Sequence, residues 1–525
     1  MNKQINIRKL SAWSAKFSVS LVCAAVLGAC ANYSGIHSAQ HIDSAHTFQT
    51  TQSLPSEGGH WPNPDWADQF GDAQLKAILA EALKNSPTLD QARARVAAAA
   101  AFSEGARANT LPKVDASASE TRQRYSANAA VPPPYGGSWQ TENQAVLSAS
   151  YDLDLWGKNR EALKASLSEV QRSEAESEVV KLTLTESITR TYNQLARLYA
   201  LRDIAQREVQ QRQQFDRITA GRIATGLDTD VERRIANAKL ATSQTNLSAL
   251  DGSIVTTRYQ LAALLGAGPD RGLQITRPTL GVGEPVRLPD DLPADLVSRR
   301  PDIVAARWHV DALTHDVKSA KAEFYPDVNL SATTALDAFG AGRFLTTASR
   351  SQSAGAAIHL PIFDGGALRA NLKGQYAEFD SAVATYNQTL ISSLSEVATQ
   401  VAQIRSTDEQ LVTAQVAEEQ SRSAYDLAII QYKGGLTNQL TVLSADIDAL
   451  SSEEEVTNLR MSRRDEQIAL AAALGGGFSD VSSTTAASSP DHDARSAHDA
   501  QGADDAARLP AVHAATRAPA VPAAE

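Results

Sequence analysis

The chain has 525 residues, 43% hydrophobic but only 6% aromatic, with a formal net charge of −11. This excludes wholesale disorder and a polytopic helical membrane protein, because only one apolar stretch, near residue 20, approaches spanning length. The acidic balance, with a pI near 5.5, argues against nucleic acid as a partner, since such binders carry a basic stripe. Two cysteines, Cys23 and Cys30, do not make a disulfide scaffold, so packing must hold the fold.

The first thirty residues read as an address. Lys3, Arg8, Lys9 and Lys16 form a basic n-region, the apolar run Leu21 to Leu27 follows, and Gly28 and Ala29 close it. This is secretory signal architecture, too short for an ordinary transmembrane helix. Leu27-Gly28-Ala29-Cys30 resembles the bacterial lipobox. The resemblance implies a signal peptide over 1–29 and a Cys30 bearing N-palmitoyl and S-diacylglycerol groups. Removing the signal takes away four cations and leaves a formal charge of −15. Several acyl chains on one cysteine anchor a protein stably. Ala31, rather than Asp, after Cys30 resembles the sorting pattern for the outer membrane. Residues 30–64, rich in Ser, His, Gly and Pro, read as a lipidated flexible tether.

From there the chain repeats itself at an offset of about 209 to 214 residues. Pro87-Thr88-Leu89 returns as Pro301-Asp302-Ile303, and Leu111-Pro112-Lys113-Val114 as Tyr325-Pro326-Asp327-Val328. Gly157, Gly226-Leu227 and Leu265-Gly266 return as Gly366, Gly435-Leu436 and Leu474-Gly475. The repeats occupy 65–266 and 296–477, joined by a Pro/Gly-rich linker over 267–295. A tail over 478–525, dominated by Ala, Ser, Asp and Pro, reads as disordered.

Each repeat follows one plan: a helix, two strands, a very long helix, a tight turn and a returning helix. The first helix, roughly Asp72 to Arg107, is Ala-rich and ends before Pro112. Strand patterning then appears at about 111–125, 143–155, 326–338 and 352–363. One apolar phase runs through Val114, Ala116 and Ala118; through Ala145, Leu147, Ala149, Tyr151, Leu153 and Leu155; through Val328, Leu330 and Ala332; and through Ala354, Ala356, Ile358, Leu360 and Ile362.

The long helices carry a heptad. Tyr376, Phe379, Val383, Tyr386, Leu390, Ser393 and Val397 alternate spacings of three and four. Leu163, Leu167 and Val170 begin the matching series in the first repeat, and Leu184, Ile188, Thr191, Leu195 and Leu198 resume it. The returning helices show Leu247, Leu250, Ile254, Thr257, Leu261 and Leu264, then Leu440, Leu443, Ile447 and Leu450. Sustained heptads imply left-handed coiled-coil packing.

Four strands of about ten residues suit a bilayer but cannot close, because membrane barrels start at eight and open edges in lipid leave backbone groups unpaired. Sharing solves this: three copies supply about twelve strands. The fold class is therefore an α+β membrane protein with a duplicated helix–strand–strand–long helix–helix repeat. Four strands per chain would join a shared 12-stranded trimeric β-barrel above an α-helical coiled-coil tunnel.

The lipobox, the duplication, Arg299-Arg300-Pro301-Asp302-Ile303 and the run Ala320-Lys321-Ala322-Glu323-Phe324-Tyr325-Pro326 resemble the TolC-like outer-membrane efflux factors, NodT-type lipoproteins among them. The resemblance implies a homotrimer in the bacterial outer membrane that extends into the periplasm. It would be the passive exit duct of a tripartite pump for small molecules such as drugs. Its partners would be a periplasmic adaptor (membrane fusion protein), an inner-membrane pump of the RND type and outer-membrane lipid.

The turns over 224–231 and 433–440 match the family's periplasmic tips, which places Gly226, Leu227, Asp228, Gly435, Leu436 and Thr437 at adaptor docking. Glycine permits the reversal, and Asp228 or Thr437 can cap the returning helix. Leu440 aligns with the family's apolar constriction. Ser444 stands where the family often has an acid, with Thr441 also neutral. Tyr432 aligns with a tyrosine that restrains the closed end, while its usual Arg partner is Thr437. Ordinary heptad packing is the alternative role for Leu440.

No catalytic constellation emerges, and nothing calls for a cofactor or a metal. His309 and His315 lie six apart on a helix, which does not put both on one face. Gly281-Val282-Gly283 lies in a Pro-flanked linker without the strand–turn–helix context of a dinucleotide site. Two alternatives stand beside efflux: an exit duct for a type I protein secretion system, and a lipid-anchored periplasmic coiled-coil scaffold without a channel.

Overall fold

The computed structural model describes residues 33–480 apart from 129–130, 282–286 and 290–291. The signal-peptide segment, Cys30 and tail residues 481–525 lie outside the described residues. In chain order the main elements are α1 (Ala73–Asn85), α2 (Pro87–Ala108), β1 (Lys113–Arg124), β2 (Trp139–Asp152), α3 (Lys158–Ala224) and α4 (Asp230–Leu264). The second repeat follows as α5 (Leu292–Arg299), α6 (Pro301–Ala322), β3 (Asp327–Phe339), β4 (Arg350–His359), α7 (Ala367–Lys433) and α8 (Gln439–Ala473).

The duplication is exact in size where the helices are longest. Both α3 and α7 contain 67 residues, and both α4 and α8 contain 35. At about 1.5 Å per residue each long helix spans roughly 100 Å. The opening helix, read as one element from Asp72 to Arg107, is instead two. Pro87 has no amide hydrogen to continue α1, so α1 stops at Asn85 and the proline starts α2 at its first turn.

The strands form one antiparallel sheet in the order β1-β2-β3-β4. β2 starts earlier than read, at Trp139, and ends at Asp152; β4 ends at His359, before Pro361 can interrupt the ladder. Register aligns the apolar phases: Val114 opposes Ala149, Ala149 opposes Ala332, and Ala332 opposes Ala354. The next row on that face holds Ala116, Leu147, Thr334 and Gln352. The opposite face carries Asp115, Ser117, Ser148, Ser150, Ser331, Thr333, Ser351 and Ser353. Among the described residues, β1 and β4 have no strand on their outer sides, and both are exposed along their whole lengths.

Helix packing follows the heptad in part. Val383, Tyr386, Leu390, Ser393 and Val397 of α7 are buried, and their apolar members pack with Ile303 and Val310 of α6. In α3 the seam of Leu184, Ile188, Leu195 and Leu198 is buried, with Tyr192 at its centre. The start of that seam differs: Leu167 is 49% exposed, and Ala165, Ser168 and Ala175 face inward instead. Small residues there let α6 approach, and Ser168 Oγ donates to Asp311 at 2.6 Å. His309 and His315 of α6 join the same joint, 3.0 Å from Glu169 and 2.6 Å from Glu161.

Three connecting segments are built into the body. The stretch read as a flexible tether is packed from Tyr33 onward. Ser38 Oγ donates to Asp380 at 2.5 Å, the Asp43 amide donates to Asn387 at 2.9 Å, and Ile36 and Leu54 are buried. The linker returns over α1, with the Thr279 amide donating to Asp72 at 2.7 Å and Ile275 buried. At the tail's root, Arg307 pairs with Asp480. The Arg299 to Ile303 signature is a joint. Arg300 donates to Ala473 O at 2.9 Å and to Glu396 at 2.7 Å while pairing with Asp302, and so binds the start of α6 to α7 and α8.

Candidate gate and docking tips

The far ends of the two helical hairpins share one local design. Gly226 and Gly435 have φ of 76° and 71°, a left-handed conformation that side chains disfavour. Leu227 N–H donates to Arg222 O, and Leu436 N–H to Gln431 O, each at 2.9 Å, closing both helices identically. The caps fall one residue later than read. Thr229 caps α4, with its hydroxyl accepting from Val231 N–H and Glu232 completing a capping box; Asn438 caps α8. Leu227 and Leu436 are left 64% and 81% exposed.

Asp228, freed from capping, anchors a partly buried network. Arg222 Nε donates to its carboxylate at 2.8 Å, and Tyr432 Oη donates at 2.5 Å. Arg222 also donates to Tyr432 O at 2.9 Å, and its guanidinium carbon lies 4.3 Å from the Tyr432 ring centroid. Phe215 stacks on the same ring, with centroids 5.4 Å apart. The Arg222 hydrogen bond holds Asp228 below the usual carboxylate range, while burial and then the Asp228 contact push the Tyr432 hydroxyl up. The guanidinium missing at Thr437 is thus supplied from α3. This ties the α3–α4 turn to the end of α7.

α8 leaves the tip with two different faces. Val442, Leu443 and Asp446 turn inward, whereas Leu440 is 74% and Ile447 is 50% exposed. The four apolar residues read as one heptad seam therefore do not share a face, and Leu440 does not pack in its own hairpin. Leu440, Thr441 and Ser444 line a shallow groove with Ser421 and Ala424 of α7, and Asp448 stands one turn beyond Ser444. The groove holds a carboxylate after all, displaced by one helical turn.

Above the tips, Arg212 of α3 reaches Asp446 of α8 at 2.5 Å, and both side chains are under one-tenth exposed. Glu208 lies 3.5 Å from the same guanidinium and accepts from Ser243 Oγ at 2.7 Å. One cation is shared by two carboxylates. Burial pushes Asp446 up to about 6 against the pull of Arg212, with Glu208 adding to the rise.

The outer membrane efflux protein family model matches residues 78–267 and 292–476, more than half of the chain. The chain belongs to the outer membrane efflux protein family. It resembles the solved outer membrane protein VceC of Vibrio cholerae at 35% identity and a TM-score of 0.75, over 80% of this chain and 100% of that one. The multidrug resistance outer membrane protein MdtP of Shigella flexneri is 31% identical over 81% of this chain and 88% of its own length. The fusaric acid resistance protein FusA of Burkholderia cepacia is 36% identical over 317 residues, 59% of each protein. This efflux protein is thus an outer-membrane channel component, with a long helical body and a four-stranded β domain.

Among its site residues, the structure brings Asp228 and Tyr432 together and keeps Leu440 and Ser444 on one groove. Arg222, Arg212 and Asp446 were absent from the sequence reading. A signal existed: Arg212 falls between Val209 and Phe215 on the buried α3 seam, and Asp446 follows Val442 by four. A charge at a heptad core position needs a partner.

Proposed function

We propose that three copies share one 12-stranded barrel, lipid-anchored at Cys30, as the passive exit duct of a tripartite efflux pump for small molecules. One observation carries this reading. Four apolar strand phases fall on one face of an open sheet whose edges lack strand partners among the described residues. Exposed Leu147, Val114 and Ile358 then meet lipid, the Ser- and Thr-rich face lines water, and every edge gains a neighbour. Detergent-extracted protein should have a native mass of three chains after the detergent is subtracted. A monomer would overturn the duct and favour the tethered scaffold, since four strands cannot seal themselves in lipid.

The tips would dock a periplasmic adaptor belonging to an RND-type pump, with Leu227 and Leu436 as the exposed apolar contacts. Gly226→Asp and Gly435→Asp should each leave the trimer intact and reduce adaptor crosslinking and drug export at least ~10-fold, a loss of about 1.4 kcal/mol in docking. Normal export with normal crosslinking would remove the tips from the interface. Leu440 and Ser444 would face the tunnel at its closed end, with the Asp228–Arg222–Tyr432 network as the restraint behind them.

A further inference from the structure

The strand register sorts the sheet's charges by face, and their use below rests on the shared-barrel reading above. The face that carries Ser117, Ser148 and Ser331 holds five carboxylates, Asp115, Glu142, Asp152, Asp327 and Asp337, against one lysine, Lys113. The apolar face reverses the sign. It carries Arg122, Arg124 and Arg350 against Glu120 alone, net +2 for one copy and +6 for three. All four of these charges lie in the half of the sheet nearest its hairpin loops, away from the helical body. Val114 is 65% exposed and Arg122 follows it by eight residues; Ile358 is 73% exposed and Arg350 precedes it by eight. At about 3.4 Å per residue and a tilt near 40°, eight residues rise roughly 21 Å. The two outer strands thus lift their arginines to the far border of an apolar band about 25 Å tall.

An arginine on a lipid-facing strand is strongly destabilising at the bilayer midplane and nearly free of cost at its border. These three stand at the border away from the helical body, which is the outer leaflet when that body extends into the periplasm. The nearest carboxylate of the opposite face is engaged there, because Tyr125 Oη donates to Glu142 and Gln123 Nε2 donates to it at 3.3 Å. Arg124 is placed by its Nε bond to Gly137 O at 3.3 Å, and its cross-strand partner Trp139 is 64% exposed. Indole rings belong at headgroup level. Closing the barrel sets the β4 edge of one copy beside the β1 edge of another, so Arg350 of the first joins Arg122 and Arg124 of the second. The bacterial outer leaflet is built from a glycolipid whose sugars carry phosphates, and a guanidinium grips phosphate through two parallel N–H···O bonds. We infer that these arginines bind the phosphates of that glycolipid, with one site at each junction between copies.

Native mass spectrometry of the full-length protein, extracted in mild detergent and stripped of lipid, tests this with lipid A as the probe. The protein should bind bis-phosphorylated lipid A at least ~10-fold more tightly than lipid A with both phosphates removed. Arg122→Gln combined with Arg124→Gln should weaken the phosphorylated lipid at least ~10-fold, and Arg350→Gln about 3-fold or more. Lys113→Gln, on the opposite face, should change nothing. In a protein of three-chain mass, equal binding by parent and arginine variants would overturn the inference and leave the barrel standing. So would a parent that does not distinguish the two lipids, and this arm decides even if a variant fails to assemble. Displacement of the lipid by inorganic phosphate at the lipid's own concentration would assign the arginines to a free anion and overturn the lipid site. A one-chain native mass would overturn the barrel itself, and the two-copy site with it.

Discussion

An Arg212→Met variant should unfold at a markedly lower temperature than the parent, losing about 3–5 kcal/mol of stability, because Asp446 and Glu208 would be left without the guanidinium between them. Asp446→Asn should act in the opposite direction at neutral pH. A carboxyl raised to about 6 in the folded state takes up its proton more readily folded than unfolded. Its contribution to stability is complete below the ordinary value of 3.8 and is lost as pH rises through about 6. Removing the surplus charge should therefore stabilise the protein by about 3 kcal/mol at pH 7.5, two pKa units at roughly 1.4 kcal/mol each. The gap between variant and parent should narrow as pH falls below about 6 and close near 3.8. Thermal unfolding of both variants in detergent at pH 7.5 and 4.5 checks this. If Asp446→Asn loses as much as Arg212→Met at pH 7.5, the ion pair outweighs the burial of its charges.

Asp228→Ala should raise the open-to-closed ratio of the duct about 10- to 100-fold. The carboxylate accepts from Arg222 and from the buried Tyr432 hydroxyl. Hydrogen bonds to a charged group contribute about 1.5–3 kcal/mol, and each 1.4 kcal/mol is tenfold in an equilibrium. Tyr432→Phe should have a smaller effect, roughly fivefold, because it keeps the stack on Phe215 and removes a single donor. Single-channel recording in planar bilayers reads the ratio directly. Unchanged conductance in Asp228→Ala, with a lowered unfolding temperature, would reduce the network to packing. Asp228 is held below the usual carboxylate range, so the restraint should persist through mildly acidic conditions and fail only in strong acid.

How much of this was legible depended on the distance over which each signal acts. The strand phases and the α7 heptad could be read because apolar spacing records which side of an element is buried, residue by residue. The tips could be read because a sharp reversal needs glycine at Gly226 and Gly435. Their caps were misplaced by one residue, since neighbouring polar side chains compete for the same amides and only the turn geometry selects Thr229 and Asn438. The flexible reading of residues 30–64 failed from Tyr33 onward because its polar composition conceals partners on α7, such as Asp380 and Asn387.

By itself the sequence determined the duplication, the periodicity of each element, the reversals and the family signature, all carried by residues close together along the chain or repeated at a fixed interval. Only the tertiary structure decided which charges meet. Arg222 finds Asp228 across one turn but Tyr432 in the other repeat, and Arg212 finds Asp446 in the last helix. It also decided that Leu440 faces outward while Leu443 faces in. A heptad names two adjoining flanks of a helix, and which flank is covered depends on the helices packed beside it.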